Sequence, residues 1–490
     1  MSGTNSFPGS ANATESLNIS LIAPAIGNTK SIGSFNPKFT YSIFGEDERI
    51  FGYKNLKISL RYLTHDMRPH VKVTYDKKFQ SVGETEAADV DAILKTHLPL
   101  VAFQSAKEFE KAAQSESDFT PPGTLHSSFE ADDGTYEVWK GSLSDPAVHQ
   151  IVKRVEVLVP LFIEGGTYIA RDLESEDDPW KAPEDANRWT IFFLYRKQRS
   201  TENSEKSSYT FIGYATVYKF FCFRPPTPPS SEWDLPKEEF NLLEELPCRS
   251  RLSQFLVLPP FQGKGIGARL YNTIYQHYLN NPQTIELTVE DPNEAFDDMR
   301  DLSDLTFLRS LPEFSKVKIN TSISLPNPPT GRVPKDLVDQ ELLRDLRQKT
   351  KIVDRQFKRL IEMHTMSQLP DSVRVAFSEE KKTKPTKEDR HHYHLWQLFV
   401  KQRLYIQNGD VLGQLDIADR FDKLNEALRS VELEYARILD WHVRWEKHTA
   451  AVAGADDSST KSVEDSGIKR KSEGDAEEQG ASKKVRIEDA

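Results

Sequence analysis

Three glycines, Gly263, Gly265 and Gly267, lie in the stretch Pro260-Phe261-Gln262-Gly263-Lys264-Gly265-Ile266-Gly267-Ala268-Arg269-Leu270. Upstream, Arg251 to Leu258 reads as a strand that stops at Pro259-Pro260. Downstream, Ile266 to Leu279 carries apolar residues at helical spacing. A glycine turn between a strand and a helix presents unpaired backbone N–H groups and the positive end of the helix dipole, which suits a phosphate. Glycine is required because a Cβ would hold the ligand away from the backbone. Two familiar phosphate loops do not fit. A P-loop needs glycine five residues before the Gly-Lys pair and Ser or Thr after it, and those places hold Leu258 and Gly265. The dinucleotide fingerprint spaces its glycines two and three apart, whereas these are two and two. The glycines alone also fit a plain strand-to-helix turn.

The neighbouring chain makes this an α/β protein. Trp189 to Tyr195 and Tyr209 to Phe223 read as a long hairpin joined by the polar loop Lys197 to Ser208, and Thr284 to Val289 is a further strand. Between Val148 and Ile163 apolar residues recur at helical spacing, with Pro160 expected to end or kink the helix. Leu56, Ile58 and Leu60 alternate with Lys57, Ser59 and Arg61, as in a half-buried strand, and Val71 to Tyr75 repeats the pattern. Pro225-Pro226-Thr227-Pro228-Pro229-Ser230 is a surface insertion. Five segments are expected: a loose arm over 1–34, an N-terminal domain on the substrate side over 35–150, an α/β core over 151–325, a helical domain over 326–449, and a disordered tail over 450–490.

Composition narrows the partners. The 490 residues carry 64 Lys and Arg against 75 Asp and Glu, a net charge of -11, which favours a cationic partner over a nucleic-acid backbone. Two cysteines, Cys222 and Cys248, cannot build a disulfide framework, so a reducing compartment is expected. No apolar run approaches the roughly 20 residues that span a bilayer, and the start lacks the pattern of a signal peptide. A soluble intracellular protein without membrane contact is expected. His391-His392-x-His394 lacks further ligand spacing, so no metal is assigned. In the tail, Lys469-Arg470-Lys471 and Lys483-Lys484-Val485-Arg486 are spaced like a bipartite nuclear-import signal.

Gln262-x-x-Gly265-x-Gly267, after a strand and before a helix, resembles the pyrophosphate loop of the GCN5-related acetyltransferases. The flanks Ser253-Gln254-Phe255-Leu256-Val257-Leu258-Pro259-Pro260-Phe261 and Thr288-Val289-Glu290-Asp291-Pro292 are similar to those of the catalytic subunits of type B histone acetyltransferases. Phe44-Gly45-Glu46-Asp47-Glu48, Phe51-Gly52-Tyr53-Lys54 and Arg188-Trp189 extend the resemblance, in patches, from about Phe39 to Asp301. It implies a mixed, largely antiparallel sheet with flanking helices, an N-terminal α+β domain and a C-terminal helical domain. It also implies acetyl-CoA as co-substrate, the tail of newly made histone four as acceptor, and a WD-repeat histone-binding subunit as partner, with work in both nucleus and cytoplasm.

The chemistry sets its own demands. A lysine amine with a reference pKa near 10.4 is scarce as free base at pH 7, at a cost of roughly 4–5 kcal/mol, so a general base is needed beside the thioester. Glu290 and Asp291 end a strand and should point to opposite faces. Periodicity leaves open which one faces the cleft; the resemblance picks Glu290. Glu164, after Leu161-Phe162-Ile163, is a second carboxylate that the resemblance places near the active centre, where burial would raise its pKa; it also fits the polar end of a helix. The resemblance assigns the acetyl and pantetheine portion to the backbone of Phe255, Leu256 and Val257. It assigns the pyrophosphate to Gln262, Gly263, Lys264, Gly265, Ile266, Gly267 and Ala268, and a further coenzyme contact to Asn293. For the histone tail it points to Glu46, Asp47 and Glu48, to Trp189, and to Tyr218, Lys219 and Phe220. Acidic groups and aromatic faces suit a Lys-rich peptide, though Glu46 to Glu48 also reads as a solvated turn. Acidity beside the cleft is expected from Asp291, Glu294, Asp297, Asp298 and Asp301. An acetyltransferase for another protein amine, or an inactive histone-binding module, are the alternatives. Retention of Gln262, Gly265, Gly267 and Glu290 speaks against the second.

Overall fold

The computed structural model describes residues 9–24, 30–114, 119–131, 133–171, 178–199, 207–222, 246–326, 333–375 and 384–459. The Pro/Ser insertion at 225–230 and the basic clusters at 469–471 and 483–486 lie outside these residues.

The described residues before 35 are not the expected loose arm, because stretches of them form strands. Leu17, Ile19 and Leu21 alternate with Asn18 and Ser20 along β1 (Leu17–Ala23), and the three apolar side chains are buried. This strand joins β2 (Lys30–Phe35), β3 (Lys57–Leu63) and β4 (Pro69–Thr74) in a four-stranded sheet of order β2-β1-β3-β4, with β1 and β3 parallel. Gly33 of β2 lies so close to Pro260 that a Cβ would stand 2.8 Å from its ring. The N-terminal sheet therefore seats directly on the glycine loop.

The larger sheet has six strands: β5 (Thr124–Ala131), β6 (Gly134–Ser142), β7 (Trp189–Arg199), β8 (Ser207–Phe221), β9 (Cys248–Val257) and β10 (Thr284–Val289). Their order is β10-β9-β8-β7-β6-β5. Every pair is antiparallel except β9 and β10. Because β5 and β6 belong to it, this sheet begins at Thr124 and crosses the division expected at 150. The apolar run from Val148 breaks at Glu156–Val157 into α1 (Pro146–Val155) and α2 (Leu158–Phe162). Pro160 falls in the first turn of α2, where its missing N–H has no helical partner to lose.

Helices α3 (Ile266–Asn280) and α4 (Glu294–Ser310) flank β10. The C-terminal region holds α5 (Gln340–Thr350), α6 (Asp354–Ser367), α7 (Lys387–Gln407) and α8 (Ile417–Ser459). It does not stand apart as a separate body. Leu305 and Leu308 of α4 share one continuous core with Phe357, Leu360 and Met363 of α6, Trp396 of α7 and Tyr435 and Ile438 of α8. The last helix also continues past residue 450, where loss of structure was expected.

Candidate active site

The centre of the site is a place where two parallel strands separate. The ladder between β9 and β10 runs from Cys248–Thr284 to Leu252–Val289, and Glu290 N closes it with a 2.9 Å bond to Leu252 O. Beyond that point β9 continues to Val257, where its one ladder among the described residues is with β8. A bulge helps to turn it: the β8–β9 register jumps from Thr216–Gln254 to Val217–Leu252, and Ser253 is skipped. The Thr216 hydroxyl accepts the Gln254 N–H at 3.1 Å across the gap. Among the described residues no strand pairs with the β10 side of Phe255, Leu256 and Val257, which leaves that edge for a pantetheine-like chain.

Directly after this edge comes the glycine turn. Gly263 and Gly265 have φ of +79° and +70°, backbone that a side chain would strain. Gly265 caps α3, and the first i to i-4 bond of the helix is Arg269 N to Gly265 O at 3.2 Å. The N–H groups of Ile266, Gly267 and Ala268 thus project from the helix end. A Cβ on Gly267 would come within 3.3 Å of Met299 Sδ and 3.8 Å of the Phe255 ring, so this glycine also lets α3 pack against β9 and α4. The Gln262 side chain does something other than reach outward: its Nε2 donates to Val257 O at 2.7 Å and ties the turn to the strand end. Ile266 buries its side chain, which leaves its backbone for a ligand. Lys264 is exposed, 3.4 Å from Asp133.

Glu290 stands at the mouth of the opening, half exposed. Its Oε2 accepts from the Ser253 hydroxyl and its Oε1 lies 3.6 Å from Arg251. Asp291 is exposed and sits at φ +35°, a kink that turns the chain towards α4. Asn293 is also exposed and spends its Oδ1 on the Phe296 N–H, capping α4 at 2.9 Å. Glu164 is a correction: it is exposed, not buried among its apolar neighbours. Its loop is nonetheless at the site, because Gln254 Nε2 donates to Thr167 O at 2.7 Å and the Tyr41 hydroxyl accepts from Gly165 N at 2.8 Å.

One face of the sheet carries a row of aromatic rings towards Glu290. Trp189 and Tyr218 have ring centroids 4.7 Å apart, Tyr218 and Phe220 also 4.7 Å, and the Arg251 guanidinium lies 4.3 Å from the Phe220 ring. Lys219 does not belong to this row. Alternation sends it to the opposite face, within the electrostatic reach of Lys140, His277 and Cys248. Among the acidic trio, Glu46 and Asp47 are exposed, whereas Glu48 is half-buried and engaged within the chain. Its Oε1 accepts from Thr40 N, the Thr40 hydroxyl and Tyr41 N, and so caps the short helix Tyr41–Phe44. Asp298 and Asp301 are likewise spent internally. Asp298 takes two bonds from Arg437, at 2.6 and 2.7 Å, and Asp301 is buried against Arg359 at 2.7 Å and Gln356 at 2.9 Å. Arg251 and Ser253 escaped the sequence reading. Their signal was the alternation of β9 opposite Thr288 and Glu290.

A mixed sheet that parts beside a glycine cradle defines a GCN5-related acetyltransferase, and residues 173–297 match the acetyltransferase (GNAT) family. The open strand edge and the helix end fit acetyl-CoA, which this class uses. Residues 9–164 match the histone acetyl transferase HAT1 N-terminus, and residues 332–369 match the fungal HAT1 C-terminal family. The chain is 48% identical over 488 residues to the histone acetyltransferase type B catalytic subunit of Gibberella zeae, covering 98% of each chain. It is 46% identical over 464 residues to that of Neurospora crassa, covering 90% of this chain and 89% of the other. Identity to the Cryptococcus neoformans subunit is 31% over 441 residues, or 84% and 90% of the two chains. The chain belongs to the family of type B histone acetyltransferase catalytic subunits and is a protein-lysine acetyltransferase.

Proposed function

We propose that this enzyme acetylates lysine amines in the N-terminal tail of free, newly made histone four by direct transfer, with Glu290 as general base. The observation that carries this reading is the position of Glu290 where β9 and β10 part, between the coenzyme edge and the aromatic row. Acetyl-CoA supplies the acetyl thioester. The edge Phe255 to Val257 and the N–H groups of residues 263–268 would hold it. The tail's basic residues lie over Trp189, Tyr218 and Phe220, with Glu46 and Asp47 adding charge. Glu290 accepts the proton of the lysine ammonium, for which lone pairs on each of its oxygens remain. The free amine then bonds the acetyl carbon as the C–S bond breaks, and coenzyme A leaves as the thiol with the second amine proton. No cysteine nucleophile is used. Cys248 is buried in the sheet, where desolvation raises its thiol pKa. No metal is required, so a chelator leaves the rate unchanged. A WD-repeat histone-binding subunit presents the histone, and the enzyme works in nucleus and cytoplasm.

The test is mass spectrometry of histone four after incubation with acetyl-CoA, for the native enzyme and for Glu290→Gln. Tail-lysine acetylation by the first and its loss in the second are expected. Label on the protein N-terminus, or on lysines outside the tail, would overturn the substrate assignment.

A further inference from the structure

A half-exposed glutamate is a poor base unless something fixes its direction. A free Glu side chain has three rotatable torsions and samples many orientations, few of which place a lone pair on the incoming amine. Glu290 is held at both oxygens. Ser253 Oγ donates to Oε2, and Arg251 stands 3.6 Å from Oε1. Both residues lie on β9 and share its less buried face, since Leu252 and Gln254 are buried while Arg251 and Ser253 are not. The β9–β10 ladder ends beside them at Leu252. Arg251 pairs with Thr288 in the ladder, and Glu290 follows two residues later on the same side. The arginine is itself located, because its guanidinium rests 4.3 Å from the Phe220 ring. A planar cation stacked on an aromatic face has its remaining donors aimed in a fixed fork, which lysine cannot reproduce.

We propose that Arg251, assisted by Ser253, is the positioning residue of the base, holding the Glu290 carboxylate in the orientation that takes the lysine proton. The proposal rests on the assignment of Glu290 as base. It also gives Phe220 two tasks: one part of the ring row meets the substrate, and the same ring fixes Arg251. The aromatic row and the base are then parts of one construction, joined through a guanidinium that touches no reacting atom.

The experiment is steady-state kinetics with a histone four tail peptide on the full chain. The variants are Arg251→Met, Arg251→Lys, Ser253→Ala, Glu290→Gln and the double variant Arg251→Met/Glu290→Gln, with coenzyme affinity measured by calorimetry as the check on folding. Arg251→Met should lower kcat by roughly 10- to 100-fold, the scale of a misaligned catalytic group, with coenzyme Kd unchanged. Arg251→Lys should recover only part of this, and Ser253→Ala should lose less than Arg251→Met. In the Glu290→Gln background, Arg251→Met should cause little additional loss, because a residue that acts through another has nothing left to position. Losses that multiply independently in the double variant, or a change confined to KM for the peptide, would overturn the proposal while leaving Glu290 as base. A fully active Glu290→Gln would instead remove the base assignment, and the positioning role with it.

Discussion

Two acidic stretches lie a few residues apart and have opposite fates. Glu290 and Asp291, at the end of β10, are exposed at the mouth of the cleft, and Glu290 is held by two residues of the neighbouring strand, Ser253 and Arg251. Asp298, Asp301 and Asp304, one helix later, are buried and bound to the C-terminal helices or to their own neighbours. Arg359 of α6 joins Asp301 to Glu434 of α8, at 2.7 and 2.6 Å. Gln356 donates to both Asp301 and Asp304, and the Tyr271 hydroxyl donates to Asp304 at 2.8 Å. Type and spacing of the carboxylates do not separate the two groups. What separates them is the arrival of arginines from residues far along the chain. An exposed carboxylate can exchange protons with a substrate; a buried one neutralised by arginine fastens helices together.

This contrast can be broken from either side. Glu290→Gln should lower kcat by roughly 10²–10⁴, the usual worth of a positioned base, and leave the melting temperature unchanged. Arg359→Met should do the reverse. It strands Asp301 as a buried charge, at a cost of roughly 3–5 kcal/mol of stability, with coenzyme affinity retained below the lowered melting transition. A thermal melt and a kcat measurement on each variant decide the matter. A catalytic defect in Arg359→Met without a lower melting temperature would place the ion-pair cluster in the active site.

The pH dependence sharpens the same point. Burial pushes Asp301 up from the ordinary aspartate value to about 6, with Asp304 adding to the rise and Arg359 and Gln356 opposing it. A carboxyl whose folded pKa lies above its unfolded one favours folding in its protonated form. Its contribution is fully present below the ordinary aspartate value of 3.8 and is lost as the pH rises through about 6. Asp301→Asn has no such proton to bind. The stability of the native protein relative to this variant should therefore rise as the pH falls from about 6 towards 4, as read by denaturant titration at each pH. A difference that stays flat over that window would mean that Asp301 is ionised throughout.

Much of this was legible in the chain because the signals were local. The glycine turn needs nothing beyond its own residues, and β7, β8, β9 and β10 follow from alternating or continuous apolar runs. The first strand carried the same signal in Leu17, Ile19 and Leu21, yet it lies in a Ser- and Asn-rich stretch and pairs in parallel with a strand forty residues away. Side-chain commitments were not legible. That Gln262 closes its own turn, that Glu48 caps a helix and that Lys219 faces away from Tyr218 depend on backbone geometry and long-range pairing. The break at Glu156–Val157 was hidden because a proline three residues later offered a plausible but mistaken cause.

The smallest expected effect separates residues within one trio. Glu46 and Asp47 are exposed, so replacing both by Ser should raise KM for the tail peptide only modestly. Each exposed carboxylate contributes roughly 0.2–1 kcal/mol towards a cation, and the effect should shrink at high salt, where such charges are screened. Stability should not change. Glu48→Ser should show the opposite pattern, because its carboxylate satisfies Thr40 N and Tyr41 N at the start of the helix Tyr41–Phe44. Loss of such a cap costs roughly 0.5–2 kcal/mol, which a thermal melt detects. Some secondary loss of activity should accompany it, because the Tyr41 hydroxyl also holds Gly165 in the loop that carries Glu164. If Glu48→Ser instead raised KM for the tail and left the melt unmoved, all three carboxylates would be tail contacts. Equal losses towards a neutral test amine in the Glu46/Asp47 variant would assign that pair to folding instead.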